Sequence, residues 1–555
     1  VRTALVLFGF GLCLRTLFWL ATPDRGAAWN LCFQGDAPVW QDLAQKVALG
    51  QTDELLRLPL RPPGMHWLVS CLWDGQGPAW LLRGLFVVLG ATIAPLVHAL
   101  LRKHTSPTTA LGAGVLCAAA TNLILVGSGL HVELPYLVLV LVSLFDQERL
   151  RQGGTTWVAA RWGALHAAST LLRAEHALTF VLLLVLLLVQ RSRGFRTTAV
   201  YGCLAFVLVL LPWHWVAWRQ VDTYNHDGAP ALPPAGHRAP GMLPWDEAAL
   251  ARLRTLPAFQ QAPTFGFVSD TVRVRGGTEV RAADLDVLQQ AYGTWPAPLG
   301  RPFVCLYGGL NFFLGNSPEA NGGFSQRALD RRPPLVGGPQ RYPPGLLQVL
   351  PRNGQLSLGY PPHLDLLVHG YRRGIDEIAT DPRGAAARFG TKLWYGLEGA
   401  TGGVGGYGLP IGLSGVRRPV DLVTADGWWA GAWRILVAVT AAAGLWTLRR
   451  QAWLQAWLVF AATKAAVVGA FFGYARQGAL CAPLVAIGIA AAAERCLLGS
   501  LRAPVRRAAF GALLLVLLLL ELVRCLGTSA ALDDFTISPG ALGPIDHEAH
   551  AVRYR

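Results

Sequence analysis

Residues 79–101 read AWLLRGLFVVLGATIAPLVHALL, twenty-three positions in which Arg83 and His98 are the only ionisable side chains. A helix of that length reaches about 34 Å at 1.5 Å per residue, enough for a hydrocarbon core of about 30 Å. Comparable apolar runs lie near 3–21, 107–127, 131–146, 155–172, 176–190, 198–218, 431–448, 453–472, 477–495 and 508–525. The pattern predicts an all-α polytopic membrane protein with about eleven transmembrane helices. Composition agrees. The 555 residues are 53% hydrophobic and 15% charged, where a soluble domain carries about 25% charged residues. The mean hydropathy is +0.38.

The formal charge of +15 does not point to nucleic acid, because of where it sits. Basic residues cluster between apolar runs, at Arg102-Lys103-His104, Arg149 with Arg151, Arg191 to Arg196, Arg449-Arg450 and Arg502 to Arg507. That is the positive-inside pattern. With a cytoplasmic N-terminus all five clusters fall on the cytoplasmic side. The loop 22–78 and the long polar stretch 219–430 then face the periplasm or exterior, as expected for a bacterial inner-membrane protein. The first run has no small-residue cleavage site and reads as a retained signal anchor. Of nine cysteines, Cys13, Cys117, Cys203, Cys481, Cys496 and Cys525 lie in or beside apolar runs, as small hydrophobes do. Cys32 and Cys71 both fall on the oxidising side, where a disulfide is open to them.

The chain divides into an N-terminal membrane module (1–218), the large external region (219–430), C-terminal helices (431–525) and a short external tail (526–555). The external region is expected to be mixed. Prolines 230, 233, 234, 240 and 244 favour irregular chain. Residues 268–274 and 303–307 read as strands, and 363–380 and 383–397 as helices. The second helix starts after Asp381-Pro382, a cap followed by proline at the first helical position. The Gly-rich run 399–415 reads as a connection.

Candidate site residues gather on the outward face. Asp36, in Gly35-Asp36-Ala37-Pro38, is placed as a general base at a half-buried interface; it equally suits the N-cap of a helix over 38–49. Asp42, farther along that helix, reads as structural. Arg61, in Arg61-Pro62-Pro63-Gly64-Met65-His66, suits a phosphate, either of a substrate or of lipid headgroups. Glu133 lies between spans three and four, and an ionisable group at such depth is a functional hypothesis by default. Arg173 and Glu175 follow between spans five and six, either as site residues or as a self-neutralising pair. Arg476 is a lone cation against the charge rule, an anion ligand or a snorkelling side chain. Lys464, inside span nine, needs a partner or water. Asn311 and Asn316, in Asn311-Phe312-Phe313-Leu314-Gly315-Asn316, combine amides with aromatics as a sugar-binding surface would, or as turn chemistry.

Three features resemble the GT-C superfamily of integral membrane glycosyltransferases, in the bacterial branch similar to protein O-mannosyltransferases and the aminoarabinose transferase of lipid A. They are Gly35-Asp36 with Leu43-Ala44 and Arg61-Pro62-Pro63-Gly64; Asn311 to Asn316; and Tyr474-Ala475-Arg476 before a proline-containing span. Span order carries the resemblance over about the first 220 residues and again from about 300 to 500. It implies transfer of a sugar from a polyprenyl-phosphate donor to an acceptor hydroxyl on a protein, lipid or glycan, with inversion. Asp36 matches the first-loop catalytic acid and Glu133 the second acidic position. Arg476, with Arg61 and Arg173, would hold the donor phosphate, and Glu175, His66, Asn311 and Asn316 the substrate. Many members carry two adjacent acids in the first loop, whereas Asp36 is followed by Ala37 and Pro38. A lone carboxylate is a poor divalent-ion site, which puts the divalent metal that the resemblance allows in doubt; no cofactor is assigned. The competing readings are a transporter or flippase of a lipid-linked saccharide, and a scaffold presenting residues 219–430 to a partner.

Overall fold

The structure is a computed structural model that describes residues 2–21, 37–50, 58–76, 79–128, 130–191, 193–226, 235–236, 243–256, 258–286, 298–323, 325–330, 356, 361–401, 428–495, 505, 508 and 512. Eighteen helices of eight residues or more are found among them: α1 (Arg2–Ala21), α2 (Ala37–Ala48), α3 (Gly64–Leu72), α4 (Trp80–Leu101), α5 (Pro107–Ala119), α6 (Thr121–Ser128), α7 (Glu133–Arg151), α8 (Thr156–Leu172) and α9 (His176–Val189). These are followed by α10 (Phe195–His226), α11 (Glu247–Arg254), α12 (Ala258–Val274), α13 (Tyr307–Asn316), α14 (Pro361–Thr380), α15 (Pro382–Thr401), α16 (Trp428–Leu448), α17 (Ala452–Ala470) and α18 (Ala475–Ala493).

Five of these, α1, α4, α10, α17 and α18, are long and apolar enough to cross a bilayer, not the eleven expected. The physical reasons differ from run to run. The run 107–127 breaks at Ala120, whose extended backbone separates α5 from α6. α8 has 17 residues and α9 has 14, both short for a span. α7 has 19 residues but ends in Asp146-Gln147-Glu148-Arg149. The predicted span 508–525 lies outside the described residues, apart from isolated positions, and so does Cys32 and the disulfide considered for it.

Capping residues mark where helices begin. Ser106 accepts from the Thr109 amide with Pro107 at the first position of α5, and Thr155 accepts from the Val158 amide at α8. The bundle has two chemically distinct ends. At one end the basic links meet: His104 packs near Trp453, Gln190 donates to Gln455 (2.7 Å), and the Gly194 amide donates to the Leu150 carbonyl (3.1 Å). Asp146, fully buried, pairs there with Arg161 in two hydrogen bonds. At the opposite end are the start of α7, the α8–α9 link and the start of α18.

The described residues of 219–430 form helices joined by turns and irregular chain, with one isolated bridge between Trp245 and Val280 and no strand. This corrects the mixed expectation. Residues 268–274 belong to α12, because Val268 and Val272, four apart, face one cluster with Trp245, Leu250 and Leu253. Residues 303–306 are irregular, and α13 begins at Tyr307. The Leu306 and Tyr307 amides donate to Pro59 (2.9 Å) and Leu60 (3.2 Å), in a loop rather than a partner strand. The helices expected over 363–380 and 383–397 are α14 and α15, and Asp381 caps α15 by accepting from the Gly384 amide (2.9 Å). α13 and α14 enclose a core of Leu306, Leu310, Phe313, Leu364 and Leu367, which Leu58, Leu60, Val221 and Phe472 join. That core ties residues 58–60, the end of α10 and the turn before α18 to α13 and α14.

Candidate functional site

Glu133 is the first residue of α7 and is completely buried. α8 ends where Arg173 turns to extended backbone (φ −145°, ψ 106°), and α9 starts two residues later, after Glu175. This short link holds Arg173 and Glu175 on adjacent helix ends. Above it, Val304 packs with Ala174, Leu171 and Trp213, and the Trp213 indole donates to the Val304 carbonyl (2.8 Å). Arg476 comes from the opening turn of α18, and Lys464 from the C-terminal half of α17.

These five side chains form one ion-paired cluster. Arg173 Nη2 lies 3.1 Å from Glu133 Oε1, and Arg476 Nε lies 3.5 Å from the same oxygen. Arg173 Nε stands 3.4 Å from Glu175 Oε1, which also accepts from Lys464 Nζ at 3.0 Å. Among the described residues, three cations face two carboxylates in this cluster. Its accessible edge is Glu175, about a quarter exposed, and Arg476, at 18%. Burial pushes the Glu175 carboxyl up, but Lys464 and Arg173 outweigh it and hold its pKa down at about 2. Glu175 therefore stays an anion at neutral pH and is a fixed charge, not a proton acceptor.

Behind the cluster runs a buried polar chain. Lys464 Nζ sits 4.4 Å over the Tyr136 ring, Tyr136 Oη is 2.7 Å from His176 Nδ1, and His176 Nε2 is 2.7 Å from His166 Nδ1. In front of it, the Arg61 guanidinium lies between Trp40 (5.5 Å) and Tyr307 (5.6 Å). Nearby, burial raises the Cys305 thiol to about 12, against a hydrogen bond with the Tyr307 backbone. Gly64 brings the start of α3 against the Leu171 carbonyl, where a methyl group would meet backbone, and so places the Arg61 turn beside the end of α8. On α3, burial holds the His66 imidazole down at about 4.

Glu133, Arg173, Glu175 and Arg476 thus meet in one place, and Arg61 and His66 lie on elements that adjoin it. Asn316 does not join them. Its amide donates to the Phe312 and Ala470 carbonyls (2.8 Å each) and accepts from Lys392 (3.0 Å). Asn311 shares its helix, α13, and is half-buried. Asp36 lies outside the described residues, immediately before α2, whose Trp40 touches Arg61. Sequence reasoning missed Tyr136, His176 and His166. The available signal was spacing, since Tyr136 stands one turn after Glu133, and His176 directly follows Glu175. Among the described residues no group of three His, Cys, Asp or Glu side chains converges as metal ligands would.

The arrangement is suited to holding one anionic group against preorganised cations, where developing negative charge is stabilised without reorganisation. Comparison of the chain with protein-family models, curated proteins and solved structures finds no match in any of the three.

Proposed function

We propose that this chain is a membrane glycosyltransferase that moves a sugar from a polyprenyl-phosphate donor to an acceptor hydroxyl. The carrying observation is the cluster itself. Four residues singled out from three separate links, Glu133, Arg173, Glu175 and Arg476, share one ion-paired site with Lys464. Its guanidinium groups suit a singly charged phosphodiester donor. During transfer the bridging oxygen leaves with the electrons of the sugar–oxygen bond, so negative charge grows on the phosphate. Arg476, at the accessible edge, is the cation best placed to meet it. Asp36 takes the acceptor proton as that oxygen attacks from the opposite face, which inverts the anomeric centre. The grouping of basic links at the other end of the bundle supports an outward-facing site in a bacterial inner membrane.

A second reading, a transporter of a lipid-linked saccharide, is favoured by the buried Tyr136–His176–His166 chain, since such chains carry protons in transporters. One experiment separates the two. The full chain is purified into nanodiscs, supplied with labelled polyprenyl-phosphosugars and candidate acceptors, and compared with Asp36→Asn and Arg476→Ala. Transfer that falls at least ~100-fold in both variants is expected for loss of a general base or a transition-state cation. Transfer at the wild-type rate by a folded Asp36→Asn removes Asp36 as base. Movement of lipid-linked sugar across the bilayer with no glycosidic bond formed supports the transporter.

A further inference from the structure

The last carbonyls of a helix have no partner within it. At the outward end of α17, Phe471 leaves the helix with φ −109° and ψ −93°, and groups from the external region take up the carbonyls. Lys392 of α15, 1% exposed, donates to Gly469 O (3.2 Å) and to Asn316 Oδ1 (3.0 Å). Asn316 of α13 in turn donates to Ala470 O (2.8 Å), and Arg388 donates to the Asn316 carbonyl (3.3 Å). A cation at a helix C-terminus is favoured by the helix dipole, most of all when partly buried. Just beyond, the Gly473 amide donates to Gly322 O (2.8 Å). The gripped stretch 469–473 leads directly into Tyr474-Ala475-Arg476, where Arg476 meets Glu133.

We propose that Lys392, together with Asn316, is a positioning residue for Arg476: it clamps the end of α17 so that the following turn presents the guanidinium to Glu133 and to an anionic ligand. The clamp makes the geometry of a charge in the membrane bundle depend on packing of the external helices. Its ligand-binding consequence rests on the phosphate reading of the site, while its structural consequence does not.

Two measurements on the full chain in nanodiscs test this. Hydrogen exchange follows the amides of Gly473, Gln477 and Gly478, which donate to Gly322, Tyr474 and Tyr474. Lys392→Met should speed them by about tenfold or more through local opening, and Lys392→Arg should restore them. Asn316→Ala, which keeps the cation but removes the donor to Ala470, should speed the same amides, while Gly153 and Gly194 at the basic end stay unchanged. Binding of dodecyl phosphate is then compared in Lys392→Met, Arg476→Ala and the double variant. Lys392→Met should weaken binding roughly tenfold, and the double variant should bind no worse than Arg476→Ala alone, as groups acting through one another do. Unchanged exchange at 473–478 in folded Lys392→Met and Asn316→Ala overturns the proposal, as does full additivity with Arg476→Ala. If exchange responds as expected but dodecyl phosphate binding ignores Arg476→Ala, the clamp stands and the phosphate reading fails.

Discussion

Replacing Glu133 with glutamine removes one charge from the centre of the cluster and leaves its shape almost unaltered. The carboxylate is fully buried and serves two guanidinium groups, at 3.1 Å and 3.5 Å. At an effective dielectric of about 20 each contact is worth ~5 kcal/mol of direct attraction. Against this stands the desolvation of the carboxylate itself, several kcal/mol. Breaking such a pair on one side leaves buried cations uncompensated, for which the net loss is about 3–5 kcal/mol. A matched control is Asp222→Asn, which breaks an ion pair of similar length (2.7 Å) to Arg301, with both side chains more than 40% exposed. Exposed pairs are screened by water and contribute little. Thermal unfolding in detergent, followed by the fluorescence of the 20 tryptophans, reads both variants. One kcal/mol moves Tm by about 2–4 °C in chains of 150–250 residues and by less in a longer chain. Glu133→Gln should therefore melt several degrees below wild type, and Asp222→Asn within a degree or so. Equal shifts in the two variants, or a Glu133→Gln that melts like wild type, would refute the account of the cluster as a buried, mutually dependent ion network.

Lys464→Met leaves Glu175 with Arg173 as its remaining cation and should cost about 2–3 kcal/mol; adding Glu175→Gln should cost less than the two single losses together, which a double-mutant cycle on Tm measures. His66 gives a pH test. Burial holds its imidazole at about 4 rather than 6.5, so the fold favours the neutral ring and the unfolded chain binds the extra proton. The contribution is complete above about pH 6.5 and is lost as pH falls toward 4, so His66→Phe should flatten the Tm–pH curve in that window; an unchanged slope counts against the burial. Gly399 on α15 faces the Ala475 carbonyl so closely that a methyl group meets backbone. Gly399→Ala should cost about 1–3 kcal/mol by forcing the helices apart, and a variant as stable as wild type would show that α15 and α18 do not pack as described.

Helices were legible where local chemistry decides them. Asp381-Pro382 announces the start of α15, and the amide bond to Asp381 confirms the reason. The strands assigned to 268–274 and 303–307 failed because β-branched residues read as strand until their neighbours are known. Val268 and Val272 serve equally at helical spacing once Trp245 and Leu253 lie beneath them. Counting spans failed for a related cause. Hydropathy is blind to the backbone break at Ala120, which makes two short helices of one apolar run. Of the charges singled out from the sequence, Arg476 and Glu133 come together in one ion pair, a proximity that neither the charge pattern nor depth in an apolar run specifies. Asn316 instead bonds the end of α17 and accepts from Lys392, since an amide suited to a sugar is equally suited to capping a helix.

Composition and order alone determined that this chain forms a helical membrane bundle with basic links at one end and a few carboxylates and arginines at the other. Those properties are local or additive: an apolar run must satisfy its own backbone in lipid, and basic links hold one side. Which outward charges meet was decided only by tertiary structure. Lys464 finds Glu175 across 289 positions of sequence, and a single Glu133 oxygen takes both Arg173 and Arg476. Such pairings depend on the rotation and depth of each helix, which packing against several neighbours sets together and no single segment encodes.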